Sequence, residues 1–172
     1  MKLHRLAVAT FLATAAMAAH AEFTVSPMIG YHLFDNDNNA AYDDLDEHTE
    51  GSLALGYRVT PNVGLELRYG HAEPEAEGSG DNYRYQAGTI DAYKRFNVEG
   101  KLQPYVLVGG GLADTKNVEA DASFRHTIAN VAVGAFYQLT DNFSLRGELR
   151  GVEDLQESGH DGIASLGVLY SF

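Results

Sequence analysis

Cysteine is absent from this 172-residue chain, so it can form neither a disulfide nor a thiolate metal site. Tryptophan is absent as well, and proline occurs only 4 times against 18 glycines. Cations are scarce: 12 Lys and Arg stand against 24 Asp and Glu, a net charge of -12. That balance excludes nucleic acid as a partner, because phosphate backbones attract basic surfaces. No apolar run is long enough for a membrane-spanning helix. The longest, Leu6 to Ala19, has 14 residues, where such a helix needs about 20.

That run lies behind a short basic start, Met1-Lys-Leu-His-Arg5, and ahead of Ala19-His20-Ala21, which fits the small-x-small cleavage pattern. Residues 1–21 therefore read as a secretory signal peptide, cut after Ala21, and residues 22–172 as one domain.

Within 22–172 the apolar residues recur at every second position, the mark of strands between two different environments. In 142–152, Phe143, Leu145, Gly147, Leu149 and Gly151 share one face, and Ser144, Arg146, Glu148 and Arg150 the other. In 162–172, Ala164, Leu166, Val168, Tyr170 and Phe172 share a face. Strand one (22–34) sets Phe23, Val25, Ile29 and Tyr31 against Thr24, Ser26, Gly30 and His32. Strand two (48–59) sets Leu53, Leu55, Tyr57 and Val59 against Ser52, Gly56 and Arg58. Strand three sets Val63, Leu65, Leu67 and Tyr69 against Glu66 and Arg68. Strand four (82–96) turns Ile90, Ala92 and Phe96 one way and Asp91 and Tyr93 the other; before Gly88 its register stays open, and a bulge would fit. Strand five (102–113) is apolar on both faces, with Val106, Val108 and Leu112 preferred outward. Its Gly109-Gly110-Gly111 permits close packing or a sharp coil. Strand six (124–139) puts Ala129, Val131, Val133, Ala135, Tyr137 and Leu139 on one face.

Three tight turns, at Thr60-Pro61-Asn62, Asn97–Gly100 and Thr140-Asp141-Asn142, alternate with four long polar loops, at 35–47, 72–81, 114–123 and 153–161. Seven connections join eight antiparallel strands: an all-β, up-and-down transmembrane β-barrel, with short turns on one side and long loops on the other. An eight-stranded barrel is just filled by its inward side chains. A soluble barrel with reversed faces is the rival. The export signal, the aromatic residues near strand ends and the aromatic residue closing the last strand favour the membrane.

Gly30-Tyr31 and its acidic loop, Val59-Thr-Pro-Asn-Val-Gly-Leu-Glu-Leu67, Gln103-Pro-Tyr-Val-Leu-Val-Gly-Gly-Gly111, Asn130–Tyr137 and Leu139-Thr-Asp-Asn-Phe-Ser-Leu-Arg-Gly-Glu-Leu149 together resemble the OmpA/OprF outer-membrane barrel of Gram-negative bacteria, meaning its N-terminal transmembrane domain. The resemblance spans essentially all of 22–172 and implies residence in the outer membrane. Many relatives continue into a peptidoglycan-binding domain; this chain ends with the barrel, so cell-wall anchoring is not expected. The resemblance implies that Glu66 and Arg146 pair inside the lumen; alternation sets Arg58, Arg68, Glu148 and Arg150 on the same inner face, as a surrounding charge network. Tyr93 and Phe136 take the positions of the family's second, lysine–glutamate pair, which leaves Glu66 and Arg146 no second pair to exchange with. Tyr170 and Phe172 look like the signal read by the barrel-insertion machinery.

Two other patterns point elsewhere and fall short. Asp35, Asp37, Asn39 and Asp46 have calcium-loop spacing, but Ala40 stands where that loop needs glycine and no helices flank it. A solvated outer loop is expected, with weak divalent-cation contact as the alternative. Lipid A-modifying barrels of one family use a His-x-Ser pair, and after His126 this chain has Ile128 in the serine's place. Without a nucleophile beside a base, no enzyme is expected. The histidines His32, His48, His71 and His160 show no metal-ligand spacing, and neither metal nor cofactor is expected. The expected partners are outer-membrane lipid, lipopolysaccharide and the insertion machinery, and the expected state is a monomer. The functional expectation is a structural barrel with at most a narrow ion path; a surface adhesin or receptor working through the acidic loops is the alternative.

Overall fold

The computed structural model describes residues 22–33, 48–74, 82–118, 122–156 and 160–172. The signal peptide and the calcium-like loop fall outside these residues. Eight strands follow in order: β1 (Glu22–Leu33), β2 (His48–Arg58), β3 (Val63–Ala72), β4 (Tyr83–Arg95), β5 (Leu102–Asn117), β6 (Ala122–Gln138), β7 (Phe143–Asp154) and β8 (His160–Ser171). Each pairs antiparallel with its sequence neighbour, and β1 pairs with β8 to close the barrel. Closure leaves no sheet edge, which a strand protein in lipid requires.

Each pairing keeps one register along its whole length, so no bulge switches the faces. The open question in β4 is settled by its pairing with β5, unbroken from Tyr83↔Asn117 to Arg95↔Tyr105. Tyr83, Tyr85, Thr89, Asp91, Tyr93 and Arg95 therefore all point inward. In β5, Val106, Val108 and Leu112 point outward and Leu107 inward. The strand runs straight through Gly109-Gly110-Gly111, which therefore serves close packing and not a coil: a Cβ on Gly109 would stand 1.9 Å from Asp91 Oδ1.

β5 and β6 extend beyond the expected strands. Most of the expected loop 114–123 is a continuation of their hairpin, paired up to Asn117↔Ala122. Asp114, Thr115, Lys116 and Asn117 carry polar groups on both faces. The ladder continues there without the apolar alternation that marks the membrane zone.

The first and third short turns share one chemistry. Thr60 Oγ1 accepts a hydrogen bond from Val63 N at 3.0 Å, and Thr140 Oγ1 accepts one from Phe143 N at 3.0 Å. A threonine hydroxyl that satisfies a turn amide replaces a missing backbone partner. In the second turn Asn97 adopts a φ of 52°, a left-handed conformation that asparagine tolerates better than most residues. Its Nδ2 donates to Leu102 O at 3.0 Å.

The two faces differ as the alternation requires. Outside, Ile29, Leu55, Leu67, Ile90, Val108, Val131, Leu149 and Leu166 are all at least half exposed, a belt of apolar side chains fit for lipid. Phe143, Tyr170 and Phe172 cluster at its short-turn rim, with ring centroids 4.8 and 4.9 Å apart along the row. Inside, two apolar clusters form. Tyr85, Ala72, Ala113, Ile128, Val152 and Ile163 fill the lumen toward the long loops. Tyr93, Tyr105, Leu107, Ala132, Phe136 and Leu169 fill it toward the short turns. On β4 the order is Tyr85, Thr89, Asp91, Tyr93: a polar layer lies between the two plugs.

Candidate functional site: a charge belt across the lumen

That layer is built by β3, β4 and β7. Period two brings Glu66 and Arg68 inward from β3, Asp91 from β4, and Arg146, Glu148 and Arg150 from β7. β3 and β7 stand on opposite walls of the ring, so their long side chains meet across the lumen. All six side chains belong to residues no more than 6% exposed.

Arg146 sits at the centre. Its Nη1 donates to Glu66 Oε2 at 2.9 Å and its Nη2 to Glu66 Oε1 at 3.0 Å, a two-pronged grip. The same Nη2 reaches Glu148 Oε2 at 2.7 Å, and Nε donates to the Tyr105 hydroxyl at 2.9 Å. That hydroxyl in turn donates to Glu148 Oε2 at 2.5 Å. The guanidinium also lies over the rings of Tyr105 and Phe136, 5.2 and 5.3 Å from their centroids. Arg68 lies 3.0 Å from Glu66 and 2.9 Å from Glu148. Arg150 lies 3.1 Å from both Glu148 and Asp91. Asp91 further accepts hydrogen bonds from Thr89 and Asn130, each at 3.0 Å. Three guanidiniums thus face three carboxylates in one network with no surplus charge. A buried charge needs this, because its lost hydration must be replaced by partners.

Glu66, Arg146, Arg68, Glu148 and Arg150 are brought together in this belt. Arg58 is not. It lies one layer away at the short-turn mouth, where register sets it beside Glu22, its ion-pair partner. Its inward parity is as expected, but Arg58 stands level with Gly64, short of Glu66 on the neighbouring strand, and its arm reaches the mouth. Tyr93 and Phe136 do lie in the apolar plug and offer no charge, yet Arg146 already touches a second carboxylate, Glu148, inside its own belt.

Sequence reasoning overlooked the belt roles of Asp91, Tyr105, Thr89 and Asn130. No local pattern marks those four roles, but one does mark the facing charges they surround. Tyr57–Arg68 and Tyr137–Glu148 align at a spacing of 80 residues, sharing Tyr, the Thr-x-Asn turn and the Leu that follows. At that spacing Glu66 faces Arg146 and Arg68 faces Glu148: two matching hairpins with opposite charges at matching places.

Toward the loops a second polar layer begins. His32, fully buried, has Nδ1 3.1 Å from Glu50 and Nε2 3.5 Å from Asp161. His126 Nδ1 lies 2.7 Å from Asp154. At the surface His160 meets Glu153 at 2.6 Å and His71 meets Glu73 at 3.5 Å. Among the described residues no group of three or more such side chains is placed to hold a metal. Tyr170 and Phe172 lie on the outward face, as parity requires.

The chain that closes into this eight-stranded ring matches a known family model, the outer membrane protein beta-barrel domain, over residues 5–172. The chain belongs to that family. It is an integral outer-membrane barrel of the OmpA/OprF type. Outer membrane protein Omp38 of Acinetobacter baumannii is 30% identical, over 98% of this chain and 54% of the relative. The chain thus spans about half the length of that relative. The crystal structure of the N-terminal β-barrel domain of Pseudomonas aeruginosa OprF superposes with a TM-score of 0.57 at 25% identity, covering 87% of this chain and 97% of that one. Neisserial surface protein A shares the fold at a TM-score of 0.72 and 16% identity, again over 87% and 97% of the two chains. The family fixes which side is which: short turns face the periplasm and long loops the exterior.

Proposed function

We propose that this barrel serves as a structural element of the outer membrane whose lumen is shut at rest and passes at most a narrow ion current. The observation that carries the reading is the layering: a neutral belt of six charges between two apolar plugs. An ion crossing it would have to part guanidinium–carboxylate pairs whose members have given up their water. The barrel has no catalytic role in this reading. His126 is engaged with Asp154 and has no hydroxyl nucleophile two residues on. Its apolar belt would contact outer-membrane lipid and lipopolysaccharide as a monomer, and Tyr170 and Phe172 would be read by the barrel-insertion machinery. Reconstitution in planar bilayers tests the closed lumen. Small, brief currents or none are expected; large, stably open channels would overturn the reading.

A further inference from the structure

The short-turn mouth holds a cleft of about 610 Å³, lined among others by Glu22, Arg58, Pro61, Arg95, Gln103 and Ser171. Its charge balance differs from the belt's. Arg58 pairs with Glu22 and reaches Ser171 Oγ at 3.4 Å. Arg95, only 7% exposed, donates to two neutral oxygens, Gln103 Oε1 at 2.9 Å and Pro61 O at 2.5 Å. No carboxylate among the described residues forms an ion pair with it. The Nε groups of Arg95 and Arg58 are buried and have no hydrogen-bond partner. Two guanidiniums therefore line one cleft, and of the carboxylates there only Glu22 is paired with either of them.

We propose that this periplasmic mouth binds a small oxyanion, a carboxylate or a phosphate, with Arg95 as principal donor and Arg58 as the second. A buried guanidinium without a counter-charge favours an anion strongly, because the surrounding dielectric is lower than water's. Arginine suits either oxyanion, since its planar fork matches their oxygens. Gln103 does not compete for the anion: its Nε2 is held by Val98 O and Gly100 O, both at 3.1 Å. Glu99 and Asp141 also line the cleft and oppose an anion. Both are exposed, so solvent and salt weaken them relative to the buried Arg95. Their presence at the rim selects against large polyanions.

The test uses the folded barrel in non-ionic detergent, with arginine Nε–H resonances followed by nitrogen-15 NMR. Inorganic phosphate and N-acetyl-D-alanine are titrated separately at constant ionic strength against chloride; whichever binds more tightly names the source. A saturable shift of the Arg95 signal is expected with at least one probe, while the Arg146 signal stays in place and reports an intact belt. Arg95→Gln should weaken binding about tenfold or more, the worth of one charge-assisted hydrogen bond. Glu22→Gln, which leaves Arg58 without its carboxylate, should tighten it several-fold. No saturable shift with either probe would overturn the proposal. So would undiminished affinity in Arg95→Gln, or unchanged affinity in Glu22→Gln. An open channel in bilayers would count against the closed lumen but leaves this result intact.

Discussion

Arg146 and Arg95 are both arginines on the inner wall of one barrel, and both are more than nine-tenths buried. Arg146 is gripped by two carboxylates, a tyrosine hydroxyl and two aromatic rings. Arg95 leans on an amide oxygen and a turn carbonyl. The belt is complete in itself, so each member is held in place by the others. The mouth is incomplete, so its charge is available to something that arrives from outside. Burial alone therefore says little about what an arginine does; the census of counter-charges within reach decides between scaffold and site.

The largest effect that would sharpen this contrast is expected from Arg146→Ala. It strands Glu66 and Glu148 in a dry lumen, and breaking a buried pair typically costs about 3–5 kcal/mol. Arg68 remains in contact with both carboxylates, which keeps the loss toward the lower end. Urea unfolding of the refolded barrel measures it, and a loss below about 1 kcal/mol would show that the belt does not depend on its centre.

Tyr105→Phe comes next. It keeps the ring stacked on Phe136, 4.6 Å away at 22°, but deletes the hydroxyl between Arg146 and Glu148. Hydrogen bonds to charged groups are worth about 1.5–3 kcal/mol, and a loss in that range is expected in the same assay.

Charge inversion follows. In Glu66→Arg with Arg146→Glu this one facing pair exchanges signs, and the belt stays neutral. The inverted barrel should be more stable than the sum of the two single mutants predicts, by about 0.5–3 kcal/mol. Heat-dependent gel migration and urea midpoints would both report it.

Arg95→Gln should do least. It removes a charge that has no carboxylate partner, so its stability change should stay within about 1 kcal/mol. A loss as large as that of Arg146→Ala would erase the distinction between belt and mouth.

Much of this architecture is legible in the sequence because one physical rule, two-residue alternation, acts along every strand. It places Glu66, Arg68, Arg146, Glu148 and Arg150 inward without any knowledge of partners. It falters where both faces carry the same kind of residue. In β5, Leu107 is as apolar as Val106, because the lumen there needs a plug, and only pairing with β4 separates them. Alternation also says nothing about height. Arg58 has the same parity as Arg68 yet belongs to another layer, since stagger between strands and the reach of a long side chain decide who meets whom. Asp91 and Tyr105 were visible as an inward carboxylate and a strand tyrosine. Their place beside Arg146 and Arg150 depends on contacts across the ring, which no local pattern carries.

Glu66 and Arg146 act as one unit in a closed belt. A double-mutant cycle of Glu66→Ala and Arg146→Ala, followed by equilibrium unfolding in lipid vesicles, tests that most directly. The double mutant is predicted to lose less stability than the two singles combined, by at least about 1 kcal/mol. Losses that add within about 0.5 kcal/mol would contradict the pair and, with it, the belt.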